Sequence, residues 1–317
     1  MLTAFLTTLE QMARIMLFLV LGFGLNRLHI LPKGAGAGIS RLSTMIFLPA
    51  MLIYNNMTEF QLADVGAYSR LVLTGCLLWT IVTVISMPVT KKLSGGDPLE
   101  RGVYLYGLSF SNTGAVGMPL VLALLGTTGL FQLNLFLLMF NIMTYAWGVN
   151  LFLDTERKNP VKRFFVHMLN PVFISMMIGL LLGALDATVW MPALVTDFIG
   201  DLGTCFVPVS LLLSGYTIAD YPLREMFHLP KSYIFTLLRL VVYPLLALLL
   251  VKLLGGSLLM ATLAVFAFAG PSGMNVVVFP ASYGRDCRTG ASIVLLSSVC
   301  SIITVPLLYA LVQMLFA

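Results

Sequence analysis

The stretch FSNTGAVGMP, residues 110–119, decides how this chain is built. It lies inside an apolar run from about 103 to 125, and about 20 apolar residues are enough to cross a bilayer as one helix. The proline of the stretch lacks a backbone donor and clashes with the preceding turn of a helix. Its two glycines lower the cost of non-helical backbone. The sequence therefore predicts that a membrane-spanning helix is broken here.

The composition places the rest of the chain in a membrane as well. The 317 residues are 59% hydrophobic and only 10% charged, with a mean hydropathy of +0.98, whereas soluble domains average about 25% charged residues. The long apolar runs predict an all-α membrane protein with ten transmembrane helices. The predicted spans are 8–28, 37–57, 68–90, 102–124, 129–153, 168–186, 194–218, 232–253, 258–282 and 290–315.

The positive charges predict the orientation of these spans. Of the 18 lysines and arginines, only Arg14, Arg70 and Lys252 fall on one side, and the others gather on the opposite side. Lysine and arginine favour the cytosolic side of membrane proteins. We therefore expect a multi-pass protein of the inner or plasma membrane with both termini outside. The net charge of +5 follows from this topology and does not indicate nucleic-acid binding.

An internal repeat divides the chain into two halves. The motif FLPAML at 47–52 returns as FVPVSL at 206–211, and Pro119 returns as Pro280, at offsets close to 160 residues. Each half holds five predicted spans, so the second half enters the membrane from the opposite side. Inverted repeats of this kind are typical of secondary transporters. We predict a first repeat at 1–153, a basic cytosolic linker at 154–167 and a second repeat at 168–317.

The second repeat contains a matching break, AGPSGMNVVVFP at 269–280. Unpaired backbone groups are costly in lipid, so such breaks persist only inside protein or beside a cavity. Two breaks at equivalent positions predict a binding site where the repeats meet. The alternative is that glycine and proline merely kink packed helices. We assign the helix break and crossover to Gly114, Gly117, Pro119, Gly270, Pro271 and Pro280.

The residues at the breaks predict the kind of ligand. A broken helix leaves free N–H groups at the start of its second half, and these suit an anion. Neutral donors beside them would hold a carboxylate without an arginine. The predicted substrate-binding residues are Asn112, Thr113, Ser272, Gly273 and Asn275. Four further positions are weaker candidates, because hydrogen bonding between helices or, for the arginine, snorkelling to the interface also explains them: Asn55, Asn141, Ser214 and Arg239.

These motifs resemble the auxin efflux carrier family, which includes plant PIN-type carriers and bacterial malonate or malate carriers. The resemblance rests on FLPAML, on SNTGAVGMPL, on GPSGMN followed by PASYGRD, and on Asn170-Pro171. It implies ten spans in two inverted repeats, crossing broken helices in the fourth and ninth spans, an elevator-type motion and a homodimer whose scaffold is the first, second, sixth and seventh spans.

The same resemblance assigns individual residues. Asn112 matches the substrate-contacting asparagine of the family, and five positions match its crossover region: Pro119, Ser272, Gly273, Met274 and Asn275. One departure concerns the ninth span, where plant members have a proline at the position of Val276. This chain instead has Pro280 four residues later.

The chain lacks the motifs of common enzymes. No G-x-x-x-x-G-K-[ST], H-E-x-x-H or nucleophile elbow occurs, and the four cysteines show no metal-ligand spacing. We expect a transporter of small organic carboxylates with no cofactor, no metal and no enzymatic activity. Because no carboxylate lies at a span centre, membrane voltage, worth about 2.3 kcal/mol per charge per 100 mV, could drive export. The alternatives are a sodium-coupled anion symporter and a membrane sensor or channel.

Overall fold

The computed structural model describes residues 2–32, 34–152, 168–220, 229–282 and 285–316. Over these ranges the protein is all-α, and strands are absent apart from one isolated β-bridge. The linker predicted at 154–167 lies outside the described residues. So do Tyr283 and Gly284 of the PASYGRD motif.

The helices follow the apolar runs of the sequence closely. The α-helices of the described part are Leu2–Arg27, Ala35–Leu42, Leu48–Glu59, Val65–Leu93, Pro98–Ser109, Met118–Phe136, Leu138–Ala146, Pro171–Ala184, Ala187–Trp190, Ala193–Thr204, Phe206–Ile218, Pro230–Leu237, Tyr243–Leu253, Leu258–Phe268, Asn275–Ser282 and Arg288–Phe316. Three π-helical turns join neighbouring α-helices, at Ser43–Phe47, Thr113–Gly117 and Leu238–Val242, and 3-10 turns occupy Leu62–Asp64 and Gly148–Leu151.

Seven helices in the described ranges are long and apolar enough to cross a membrane. Two more apolar helices, Pro171–Ala184 and Leu258–Phe268, are shorter. One of the seven, Thr113–Phe136, is interrupted at Gly126, whose φ of 69° and ψ of −165° favour glycine. Gly126 falls between the predicted fourth and fifth spans. The chain is thus a multi-pass membrane protein, and the division into ten spans stays a prediction.

One group of helices packs through glycine. Leu2–Arg27 lies against Phe206–Ile218, and a Cβ added at Gly22 or Gly215 would overlap a backbone carbonyl of the facing helix. Helix Leu48–Glu59 similarly lies against Pro171–Ala184, where Gly179 approaches the Asn56 side chain. Helices in lipid gain stability from close backbone approach, which small residues permit.

A second group of helices surrounds the 110–119 stretch. Val65–Leu93 packs against Pro98–Ser109, and Leu258–Phe268 packs against both Tyr243–Leu253 and Arg288–Phe316. Aromatic side chains fill the interior of this group: Phe110 contacts the rings of Trp79, Tyr106, Phe140 and Trp147 at centroid distances of 4.6–6.1 Å. The first break is therefore held in a packed core.

Two glycines in the first helix give a matched test of this packing. We expect Gly22→Ala to destabilise the protein by about 1–3 kcal/mol, because its methyl group meets the Leu212 carbonyl. Gly24→Ala should leave stability unchanged or slightly raised, since its Cβ meets nothing within 4 Å and alanine favours helix. Thermal unfolding in detergent measures both. Equal melting temperatures for the two variants would contradict the packing.

Candidate functional site

The first break is short and capped by an asparagine. Helix Pro98–Ser109 ends with Phe110 in an extended conformation (φ −127°, ψ 117°), and helical structure resumes at Thr113. The Asn112 side-chain oxygen accepts a hydrogen bond from the Ala115 N–H at 3.3 Å. Asn112 is thus the N-cap of the second half-helix, a position that asparagine favours.

The second break is longer and takes its partners from neighbouring helices. Leu258–Phe268 ends before residues 269–274, and Asn275 begins the next helix. The Ser272 N–H donates to the Ser297 hydroxyl at 3.0 Å. The Asn275 amide donates to the Tyr106 hydroxyl at 2.8 Å, which joins the second break to the helix that precedes the first.

The two breaks lie directly against each other. Ser111 and Ser272 form an antiparallel β-bridge, and the Asn112 N–H donates to the Pro271 carbonyl at 2.8 Å. The Ser111 hydroxyl donates to the Ala267 carbonyl at 2.5 Å. Gly273 is close enough that an added Cβ would lie 3.6 Å from the Ser111 carbonyl oxygen. The backbone groups that the breaks free from helical bonding are therefore partly paired across the junction.

Arg239 stands behind this junction. It lies in the π-helical turn Leu238–Val242 and is fully buried. Its Nη1 donates to the Leu108 carbonyl at 2.7 Å and its Nε donates to the Gly270 carbonyl at 3.1 Å. Snorkelling, one of the two interpretations open from the sequence, does not describe this side chain, because both carbonyls lie at the ends of interior helices.

A cavity of about 1080 Å³ opens in front of the junction. It extends from residues around the end of the first helix, such as Asn26 and His29, to both breaks. Its inner wall combines apolar and aromatic side chains with uncharged polar ones. The residues of the inner wall that carry a hydroxyl or a side-chain amide are Ser111, Asn112, Thr113, Asn141, Thr144, Tyr145, Ser210, Ser214 and Asn275.

The charges of the cavity lie toward its outer end. Arg41 and His29 are both exposed there. Asp220 is the one acidic residue among the described residues of the wall, and its carboxylate accepts a hydrogen bond from the Asn26 amide at 2.8 Å. The inner wall thus offers neutral donors with no carboxylate beside them, which suits a ligand of negative charge.

The structure brings together most of the sequence-predicted substrate residues. Those that line the cavity are Asn112, Thr113, Gly114, Asn141, Ser214, Gly273 and Asn275. Ser272 is fully buried and pairs with the first break instead. Asn55 is also buried, and its amide donates to the Thr127 carbonyl at 2.9 Å, so its role is hydrogen bonding between helices. Arg239 lies behind the junction.

Pro119 and Pro280 lie further along the chain than the breaks themselves. Gly114 and Gly117 belong to a π-helical turn, and Pro119 sits in the first turn of Met118–Phe136. Proline is tolerated there because the first N–H groups of a helix have no internal partner. Pro280 lies inside helix Asn275–Ser282. Gly270 and Pro271 do fall within the second break.

Several residues of the site carry no motif of their own. Tyr106 is fully buried, and its hydroxyl accepts a hydrogen bond from the Asn275 amide. In the sequence, however, it is one of several aromatic residues in an apolar span. Ser210 belongs to the FVPVSL repeat marker, and Thr144 lies in the predicted fifth span, but neither context indicated the cavity. No sequence pattern around Tyr145 indicated a binding site.

The architecture defines a class: a multi-pass membrane protein in which the non-helical segments 110–112 and 269–274 meet beside a cavity that polar side chains help to line. A family model described as "Membrane transport protein" matches residues 7–309. The chain therefore belongs to this family, the auxin efflux carrier family, and is a membrane transporter. A search of curated proteins found no match.

Thiol labelling tests whether the cavity is open to water. In a variant without the native cysteines, we expect Ser210→Cys and Asn141→Cys to react with a water-soluble methanethiosulfonate, because both side chains are partly exposed in the cavity wall. Ser86→Cys is the control, since Ser86 is fully buried between helices and bonded to Tyr243 at 3.0 Å. Labelling of Ser86→Cys at the same rate would contradict the cavity.

Proposed function

We propose that the protein is a secondary transporter of small organic carboxylate anions, such as malonate or malate, that binds its substrate where the two breaks meet. The observation that carries the proposal is the inner cavity wall. It combines side-chain donors, the starts of two half-helices at Thr113 and Asn275, and no acidic residue among those described. Helix starts carry a partial positive charge and favour anions.

Weak neutral contacts also suit transport. A carboxylate held by backbone N–H groups and amides can be released again, whereas a direct arginine pair would hold it more tightly. Asn112 already uses its side-chain oxygen to bond the Ala115 N–H, so its role toward a substrate would fall to its amide nitrogen. Asn275 donates to Tyr106 and would meet the substrate from the opposite repeat.

The pairing of the breaks supports the inverted-repeat arrangement. Ser111 and Ser272, which form the bridge, are separated by the same 161 residues as Pro119 and Pro280. Corresponding residues of two inverted copies meet in this way at a pseudo-two-fold axis. In this arrangement ten spans form two inverted repeats, 1–153 and 168–317, and the glycine-packed helices serve as the scaffold of a homodimer.

Movement of the second helix group against this scaffold would provide elevator-type alternating access. The cavity opens near the link after the first helix, a loop that the positive charges predict to be cytosolic, so this conformation would be the inward-facing state. Both termini then lie outside an inner or plasma membrane. Export of an anion from a negative-inside cell gains about 2.3 kcal/mol per charge per 100 mV and needs no coupling ion.

Counterflow of labelled malonate and malate into proteoliposomes tests the function. We expect protein-dependent exchange that does not require sodium and that is lost in Asn112→Ala and Asn275→Ala. A requirement for sodium would favour the symporter, and a conductance far above carrier turnover would favour a channel. Absence of exchange of every carboxylate tested, with folded protein, would contradict the substrate class.

An exchange of asparagine for aspartate separates capping from anion binding. We expect Asn112→Asp to fold normally, because aspartate is an equally good N-cap, but to lower carboxylate exchange at least about tenfold through charge repulsion in the cavity.

Asn170→Asp is the matched control for this substitution. Asn170 also caps a helix, with its oxygen accepting from the Phe173 N–H at 3.0 Å, but it is not part of the cavity wall. The control should exchange carboxylates like the parent. Equal activity of both aspartate variants would place the anion away from Asn112.

A further inference from the structure

Arg239 is a fully buried cation without a carboxylate partner among the described residues. Its hydrogen bonds go only to backbone carbonyls, those of Leu108 and Gly270, and its Nη2 has no partner. Burying an unpaired charge is expensive. Something in its surroundings must therefore offset the charge.

The two helix ends at Arg239 provide that offset. Leu108 lies in the last turn of Pro98–Ser109, and Gly270 follows the end of Leu258–Phe268 by two residues. The carboxyl end of each helix carries about half a negative charge. Two such ends together balance one guanidinium. Arg239 thus neutralises the negative ends of both first half-helices at once.

The shape of the guanidinium explains how one side chain serves both ends. Its Nε and Nη1 reach two carbonyls that belong to opposite halves of the chain, 31 and 131 residues away in sequence. The rigid planar fork of arginine presents its donors in fixed directions, whereas lysine presents a single compact ammonium. A lysine here would keep the charge and bond fully to only one of the two ends.

We propose that Arg239 is a positioning residue that clamps the carboxyl ends of both first half-helices and so keeps the two breaks in register beneath the substrate. With those negative ends neutralised, the positive starts of the second half-helices act on the cavity unopposed. The hydrogen bonds of this clamp do not depend on any substrate. Its electrostatic effect on substrate binding, in contrast, rests on the proposed carboxylate transport.

Amide hydrogen exchange tests the clamp directly. We expect Arg239→Lys and Arg239→Met to raise exchange at residues 110–113 and 272–275 by about tenfold or more, because each lost hydrogen bond lowers the local cost of opening. Two variants are used, since Arg239→Met leaves both carbonyls without a donor and is the more prone to misfold. Arg239→Lys keeps the charge and most of the volume, and it alone suffices for the test.

Lys231→Met is the matched control. Lys231 begins the same stretch of helix and also bonds the Pro98–Ser109 helix, through Glu100 at 2.9 Å, but at a partly exposed position. Its loss should leave exchange at both breaks unchanged. Unchanged exchange at the breaks in folded Arg239→Lys, or an equal rise in Lys231→Met, would overturn the clamp.

Malonate counterflow tests the electrostatic effect. We expect the apparent KM for malonate to rise about tenfold in Arg239→Met and less in Arg239→Lys, which keeps the charge. Equal KM values for parent and Arg239→Met would overturn this effect. A parent that transports no malonate would instead remove the proposed substrate class, and hydrogen exchange would then decide on the clamp alone.

Discussion

The pairing of backbone groups at the two breaks is the constraint on which the structure depends. A helix interrupted inside a membrane exposes N–H and C=O groups that lipid cannot satisfy. Here the first break bonds to the second through Asn112 and Pro271, and the second bonds to Ser297. The bond between Asn112 and Pro271 exists only when both breaks are in place, so this pairing requires the two halves of the chain to assemble together.

This constraint also shapes the electrostatics of the protein. An interrupted helix has two additional ends, one negative and one positive. At this junction the negative ends face Arg239 in the interior, and the positive ends face the cavity. The same geometry that satisfies the backbone therefore separates charge across the junction. In the proposed transporter, this arrangement would favour an anion in the cavity without any cationic side chain on its inner wall.

The sequence predicted the all-α fold, the membrane environment and the approximate place of the non-helical segments 110–112 and 269–274, because these depend on local properties. Apolar run length sets the helices, and clustered glycine, proline and asparagine mark the interruptions. Asn112 and Asn275 were predicted as site residues in the same way, and both line the cavity.

Other features depend on contacts between residues that are distant in sequence. Arg239 bonds carbonyls 31 and 131 residues away, and Tyr106 meets Asn275 across the junction. Sequence patterns in a single helix hold no trace of such partners. The breaks also precede Pro119 and Pro280, because proline is accommodated within the helices that follow and the extended residues before them are fixed by pairing between the halves.

Disulfide trapping across the bridge tests the central claim most directly. Opposed residues of such an antiparallel pair lie about 4.5–5.5 Å apart at Cα, within the range of a disulfide. Ser111→Cys and Ser272→Cys are introduced together into a variant that lacks the native cysteines and carries a protease site within 154–167. Mild oxidation should join the two new cysteines in a disulfide bond. On a denaturing, non-reducing gel the two halves would then stay joined after cleavage, while a variant with either single cysteine would release them. Release of the halves from the oxidised, folded double variant would contradict the meeting of the two breaks.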